Sequence, residues 1–147
     1  MAKYEIERKF LVTDMGFRAM AESNDEIAQG YLSRRPEATV RVRIMNSCAY
    51  LTVKGLTTGD CREEYEYGIP VEDAERMLTM CEGSILRKTR WNVPYGGHRW
   101  EVDVFHGSRE GLVIAEIELS SEGEDFLIPP FVGEEVTGNP AYYNSNL

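Results

Sequence analysis

The 147-residue sequence predicts a β-rich α+β domain built around an antiparallel sheet. Segments that alternate with period two outnumber segments with helical periodicity. Tight turns such as "PYGG" and "HGSREG" separate successive segments, as sequential hairpins require. The alternating positions also carry charge on one face of nearly every strand, sorted by sign.

The elements follow in order. "YEIERKFLV" (4–12) puts Glu5, Glu7 and Lys9 on one face and Tyr4, Ile6, Phe10 and Val12 on the other. "TDMGFRAMAES" predicts a short helix capped by Thr13 or Asp14. "EIAQGYLSR" (26–34) is a second strand. "ATVRVRIM" (38–45) and "AYLTVKGL" (49–56) pair as a hairpin, and "REEYEYGI" (62–69) follows the turn at 59–60. "VEDAERMLTMC" (71–81) is the clearest helix, with Ala74, Met77, Leu78 and Cys81 at helical spacing. "ILRKTRWNV" (85–93), "RWEVDVF" (99–105) and "LVIAEIEL" (112–119) are further strands, and the tail predicts one more strand and a terminal helix. With no repeat or linker, residues 1–147 read as one domain.

Composition narrows the function. The formal net charge is −9 and the pI about 4.8, which disfavours duplex nucleic acid and anionic membrane as partners. The charged N-terminus is unlike a signal peptide, and no apolar run approaches the ~20 residues of a membrane helix. Cys48, Cys61 and Cys81 are an odd, widely spaced set, which favours free thiols in a reducing cytoplasm. His98 and His106 are the only histidines, so any metal here is a hard cation held by oxygen.

The charge pattern is the informative feature. Arg41 and Arg43 alternate with Val40, Val42 and Ile44. Lys54 stands opposite in parity to Val53, and Glu64 and Glu66 alternate with Tyr65 and Tyr67. Lys88 and Arg90 are two apart. Glu101 and Asp103 alternate with Trp100, Val102 and Val104, and Glu116 and Glu118 with Ile117 and Leu119. Like charges side by side repel, so each pair needs something of opposite sign. On periodicity alone, the commoner outcome is a half-exposed sheet with its charges in water. The other outcome is a barrel of roughly eight strands whose charged residues face a wet lumen. Its apolar residues then face outward. Two or three short helices cannot cover them all, so a homodimer is one source of further cover. Clustered carboxylates supply metal ligands and paired cations supply phosphate clamps.

"EIERK" resembles the ExExK signature of the triphosphate tunnel metalloenzymes, or CYTH domains, and "VRVR", "LTVKG", "EYEY", "KTR", "WEVDVF" and "AEIEL" follow in the family's order. The chain is similar to short bacterial-type members. The resemblance implies a closed antiparallel barrel that acts on a small triphosphate with Mg²⁺ or Mn²⁺, two ions being present with substrate. It implies Glu5, Glu7, Glu101, Asp103, Glu116 and Glu118 as metal ligands, and Lys9, Arg41, Arg43, Lys54, Lys88 and Arg90 on phosphate. Lys9, Glu64, Glu66 and Asp103 become candidates for orienting the attacked group or the nucleophile. The expected reaction is hydrolysis of a triphosphate, with inorganic tripolyphosphate first. A class IV-type adenylate cyclase, a thiamine triphosphatase and a non-catalytic polyphosphate binder are the alternatives. Arg99 has the parity of a further clamp or lies at the rim, Tyr31 is either lumenal or ordinary packing, and in a strand without a bulge parity selects Glu64 and Glu66 over Glu63.

Overall fold

β1 (Tyr4–Val12) has three partners where a strand ordinarily has two. Along one edge, Ile6–Leu11 pair with β8 (Val113–Leu119). Along the other, Tyr4–Ile6 pair with β5 (Cys61–Ile69), and Phe10 and Val12 with β9 (Val132–Glu135). From β5 the sheet continues through β4 (Cys48–Lys54), β3 (Ala38–Met45), β2 (Ser23–Arg35), β6 (Glu82–Tyr95), β7 (His98–Phe105) and β8 back to β1. Every pairing is antiparallel. The β1–β5 contact therefore closes an eight-stranded barrel, and β9 is an extra strand outside it. The computed structural model describes residues 3–147, so the first two residues of the expected domain lie outside the described ones.

Local chemistry fixes the hairpins. Gly96 and Gly97, at φ 59° and 79°, occupy the two left-handed positions that the β6–β7 turn requires. β2 and β6 run longer than expected. β2 slips register around Tyr31–Ser33, and Pro94 and Tyr95 remain paired with Arg99 and His98. The helices are shorter. α1 is Phe17–Met20, because the Asp14 carboxylate accepts from Gly16 N in a tight turn and delays the start. α2 is Val71–Leu78. The expected terminal helix is instead two 3₁₀ turns, Pro140–Tyr142 and Asn144–Asn146.

The apolar packing lies mainly outside the barrel. Phe10, Trp100, Val102, Ala115 and Ile117 form the largest cluster, covered by Phe17 of α1 and by Phe126 and Phe131 of the segment after β8. Trp91 packs against Phe17, with the Arg18 guanidinium 5.7 Å from its ring centre. α2 covers a second cluster, in which Ala74 meets Val42 and Ala49. A third cluster has inward parity: Leu86, Phe105 and Ile114 meet Tyr142 and Leu147. One end of the lumen is thus apolar and stoppered by the C-terminal segment. All three cysteines are free, and among the described residues no helix is long and apolar enough to cross a membrane.

Candidate active site

The strand alternation places the charged residues around one interior cavity of about 310 Å³. Glu5, Glu7, Lys9, Arg41, Arg43, Lys54, Glu64, Glu66, Arg90, Glu101, Glu116 and Glu118 all line it. Tyr31 and Arg99 do so as well. Glu63 takes the other face of β5, where the Tyr65 hydroxyl donates to it. Lys88 and Asp103 are absent from the cavity surface. Each is about 1% exposed, packed in the wall behind it.

That wall holds the tightest ion cluster. Arg90 donates from Nε and Nη2 to the two Asp103 oxygens at 2.8 and 2.9 Å, and Lys88 Nζ is 2.7 Å from Oδ2. Burial opposes the Asp103 charge, but Arg90 and Lys88 outweigh it and hold the carboxyl far below the usual range. Burial, helped by Arg90 and Arg43, pushes the Lys88 ammonium down to about 7 despite Asp103.

On the β3 side the cations are held differently. Arg43 Nε donates to Gln29 Oε1 at 2.9 Å, and Gln29 Nε2 donates to the Tyr31 hydroxyl at 3.0 Å. Arg41 donates to Thr52 Oγ1 at 3.2 Å, its acid partner Glu66 lies 3.5 Å away, and its buried Nε has no partner. Burial and the neighbouring Arg41 and Arg90 lower Arg43 to about 9, so it remains charged at neutral pH. These guanidiniums present donors and positive charge that protein carboxylates only partly answer. A polyanion fits there.

The acids of β1 and β8 show the opposite deficit. Lys54 donates to Glu5 at 2.8 Å and lies 3.2 Å from Glu64. Burial disfavours the Glu5 charge, yet Lys54 outweighs it and lowers the carboxyl. For Glu7, Lys54 and Lys9 are outweighed. Burial first, then Glu116 and Glu5, raise it well above the ordinary carboxylate value. Burial also opposes the Glu116 charge, but Lys9 and the adjacent Glu7 carboxyl group bring it to about 2. Burial, with Glu5 and Glu101, raises Glu118. Glu5, Glu7, Glu116 and Glu118 thus repel one another with too few cations among them, and an all-oxygen donor set suits Mg²⁺ or Mn²⁺. Among the described residues no three of the acids form a ready-made metal cage.

The terminal segment completes the floor. Lys9 Nζ donates to the Tyr142 carbonyl at 2.9 Å, Lys88 Nζ to Asn144 Oδ1 at 2.8 Å, and Arg34 to the Ser145 carbonyl. Tyr143, Asn144 and Ser145 line the cavity. The sequence carries no periodic signal for this contribution. Arg62 also lines the site and Gln29 holds Arg43 beside it, and neither belongs to a like-charged pair in the sequence. Arg62 was legible in principle, since it shares parity with Glu64 and Glu66.

Comparison with known proteins agrees with this geometry. The CYTH domain family model matches residues 3–144. An inorganic triphosphatase of Acetivibrio thermocellus is 47% identical over 97% of this chain and 92% of its own length. An inorganic triphosphatase of Nitrosomonas europaea is 36% identical over 97% of this chain and 95% of its own. A crystal structure described as an inorganic triphosphatase superposes with a TM-score of 0.70 at 33% identity, covering 97% of this chain and 92% of that one.

Proposed function

Because the chain belongs to the CYTH domain family, we propose that it hydrolyses a triphosphate, with inorganic tripolyphosphate cleaved to pyrophosphate and orthophosphate. The observation that carries this reading is the division of the lumen. Incompletely answered guanidiniums on β3 face mutually repelling carboxylates on β1 and β8 across a cavity sized for a small polyanion. A pure phosphate binder has use for the first set and none for the second.

Phosphoryl transfer asks for positioning and charge stabilisation rather than covalent catalysis. Arg41, Arg43 and Lys54 hold the phosphate oxygens, and Lys9 orients the attacked group from the closed end. Glu5, Glu7, Glu116, Glu118 and Glu101 are the residues that would hold Mg²⁺ or Mn²⁺. Lacking a ready-made cage, they suit a cation that completes its coordination with water and substrate oxygens. When bound, one or two such ions neutralise phosphate charge and make water more acidic. Glu64, whose carboxyl is raised by burial and by Glu5, is the candidate to take a proton from the attacking water, with Glu66 two residues along the same face. A new bond forms from water oxygen to a terminal phosphorus, the bridging P–O bond breaks, and pyrophosphate leaves. Asp103 fixes Lys88 and Arg90 from behind the wall.

Phosphorus NMR of tripolyphosphate with the protein and Mg²⁺ or Mn²⁺ tests the reading. Equal amounts of pyrophosphate and orthophosphate are expected, with none in EDTA. Cyclic AMP formed from ATP would make the protein a cyclase, binding without turnover would make it a binder, and full activity in EDTA would remove the metal.

A further inference from the structure

Among the described residues, Arg62 is a lumen cation with no acid partner. Arg62, the second residue of β5, lines the cavity alongside Glu64. Its Nε and Nη2 donate to the Gly55 carbonyl at 3.0 and 2.8 Å, and Nη2 also donates to Thr39 Oγ1 at 3.3 Å. A guanidinium has five N–H groups. These contacts use three and leave both on Nη1. Among the described residues, no carboxylate lies within 4.0 Å of Arg62. Glu5 is its register partner on β1, but the Glu5 carboxylate is taken by Lys54.

The way Arg62 is held matters. A backbone carbonyl and a hydroxyl fix the guanidinium without cancelling its charge. Gln29 does the same for Arg43. Lys9, Lys54, Lys88 and Arg90 instead have carboxylates within reach. For a tie between β5 and the turn at Gly55, a neutral donor would suffice. A fixed, half-buried, uncancelled cation with a free donor edge on a polyanion cavity is a ligand group. We propose that Arg62 contacts the bound triphosphate directly, as a third guanidinium beside Arg41 and Arg43. This rests on the triphosphatase reading above.

R62Q separates the two roles, because glutamine keeps a donor for the Gly55 carbonyl and loses the charge. Its kcat/KM for tripolyphosphate should fall about ten- to a hundredfold, mainly through KM, with R62K recovering part of the loss. The melting temperature in EDTA should match wild type. Should R62Q fold poorly, the wild-type protein supplies the answer. Phenylglyoxal modification, followed residue by residue by mass spectrometry, should slow at Arg62 under saturating Mg²⁺–tripolyphosphate and stay unchanged at exposed Arg35. Wild-type turnover combined with an unchanged kcat/KM in R62Q, or with unprotected Arg62, overturns the assignment while leaving the triphosphatase reading intact. A wild-type protein that leaves tripolyphosphate intact overturns both.

Discussion

Asp103→Asn tests whether one carboxylate holds the wall together. Asp103 is about 1% exposed and gives both oxygens to cations, a bidentate pair to Arg90 and a contact to Lys88. Asparagine keeps the shape and removes the charge. Lys88 and Arg90 are then left facing each other, with Glu101 at 3.3 Å from Arg90 as the remaining acid. Removing one partner of a buried pair costs roughly 3–5 kcal/mol. For a chain this long the unfolding entropy at the midpoint is about 0.3 kcal/mol/K, so the melting temperature should drop by about 10–15 °C. The loss should also depend on pH. Lys88 already titrates at about 7, and without Asp103 it releases its proton at lower pH still. Between those two values the variant's native state binds fewer protons than the wild type's. The stability gap therefore narrows as pH rises toward about 7 and is level above it. Thermal unfolding in EDTA from pH 5.5 to 8.5 measures both effects. A midpoint within about 3 °C of wild type across that range would mean that Asp103 is not the shared counter-ion.

Glu7→Gln should lose activity by about a hundredfold or more while raising stability in EDTA, because it removes the most strongly repelled carboxylate. The folded carboxyl titrates above its ordinary 4.5, so the wild type loses stability as pH rises through that folded value. The variant's advantage should be absent below about 4.5 and grow above it. Calorimetric scans across that range check the sign, and a destabilised variant would make Glu7 structural. Cysteines placed singly at 43, 103 and 118, with the native three replaced, should react slowly with a bulky maleimide, slower still at 43 and 118 once metal and tripolyphosphate are bound. Rapid labelling indifferent to ligand at all three would contradict an enclosed lumen.

Much of this arrangement was legible because alternation in a strand decides which face a residue takes. The parity of "EYEY" chose Glu64 and Glu66 over Glu63, and that of "VRVRI" sent Arg41 and Arg43 inward. Parity does not decide depth. Lys88 and Arg90 are indistinguishable by spacing, yet barrel stagger leaves one sealed in the wall and the other on the cavity. Local rules also could not show the terminal segment docking. Its residues lack an apolar helical stripe, and its position comes from Lys9, Lys88 and Arg34, more than fifty positions away in sequence. Arg62 shares the parity of Glu64 and Glu66 but lies at the edge of its strand, where spacing does not separate a lumenal cation from an ordinary polar end.

With the packing outside and the chemistry inside, folding and catalysis are written on alternate letters of the same strands. On β8, Ala115, Ile117 and Leu119 join the outer packing, and Glu116 and Glu118 line the cavity. Exchanges among cavity-lining acids such as Glu118 leave the outer packing untouched, whereas inward residues sealed in the wall, such as Asp103, serve stability as well. The same interleaving makes the strands intolerant of length change. One inserted residue on β8 would slide carboxylates into the packing and leucine into the cavity at a stroke. An inserted residue is therefore expected to be tolerated at the hairpin tips and not within the strands between them.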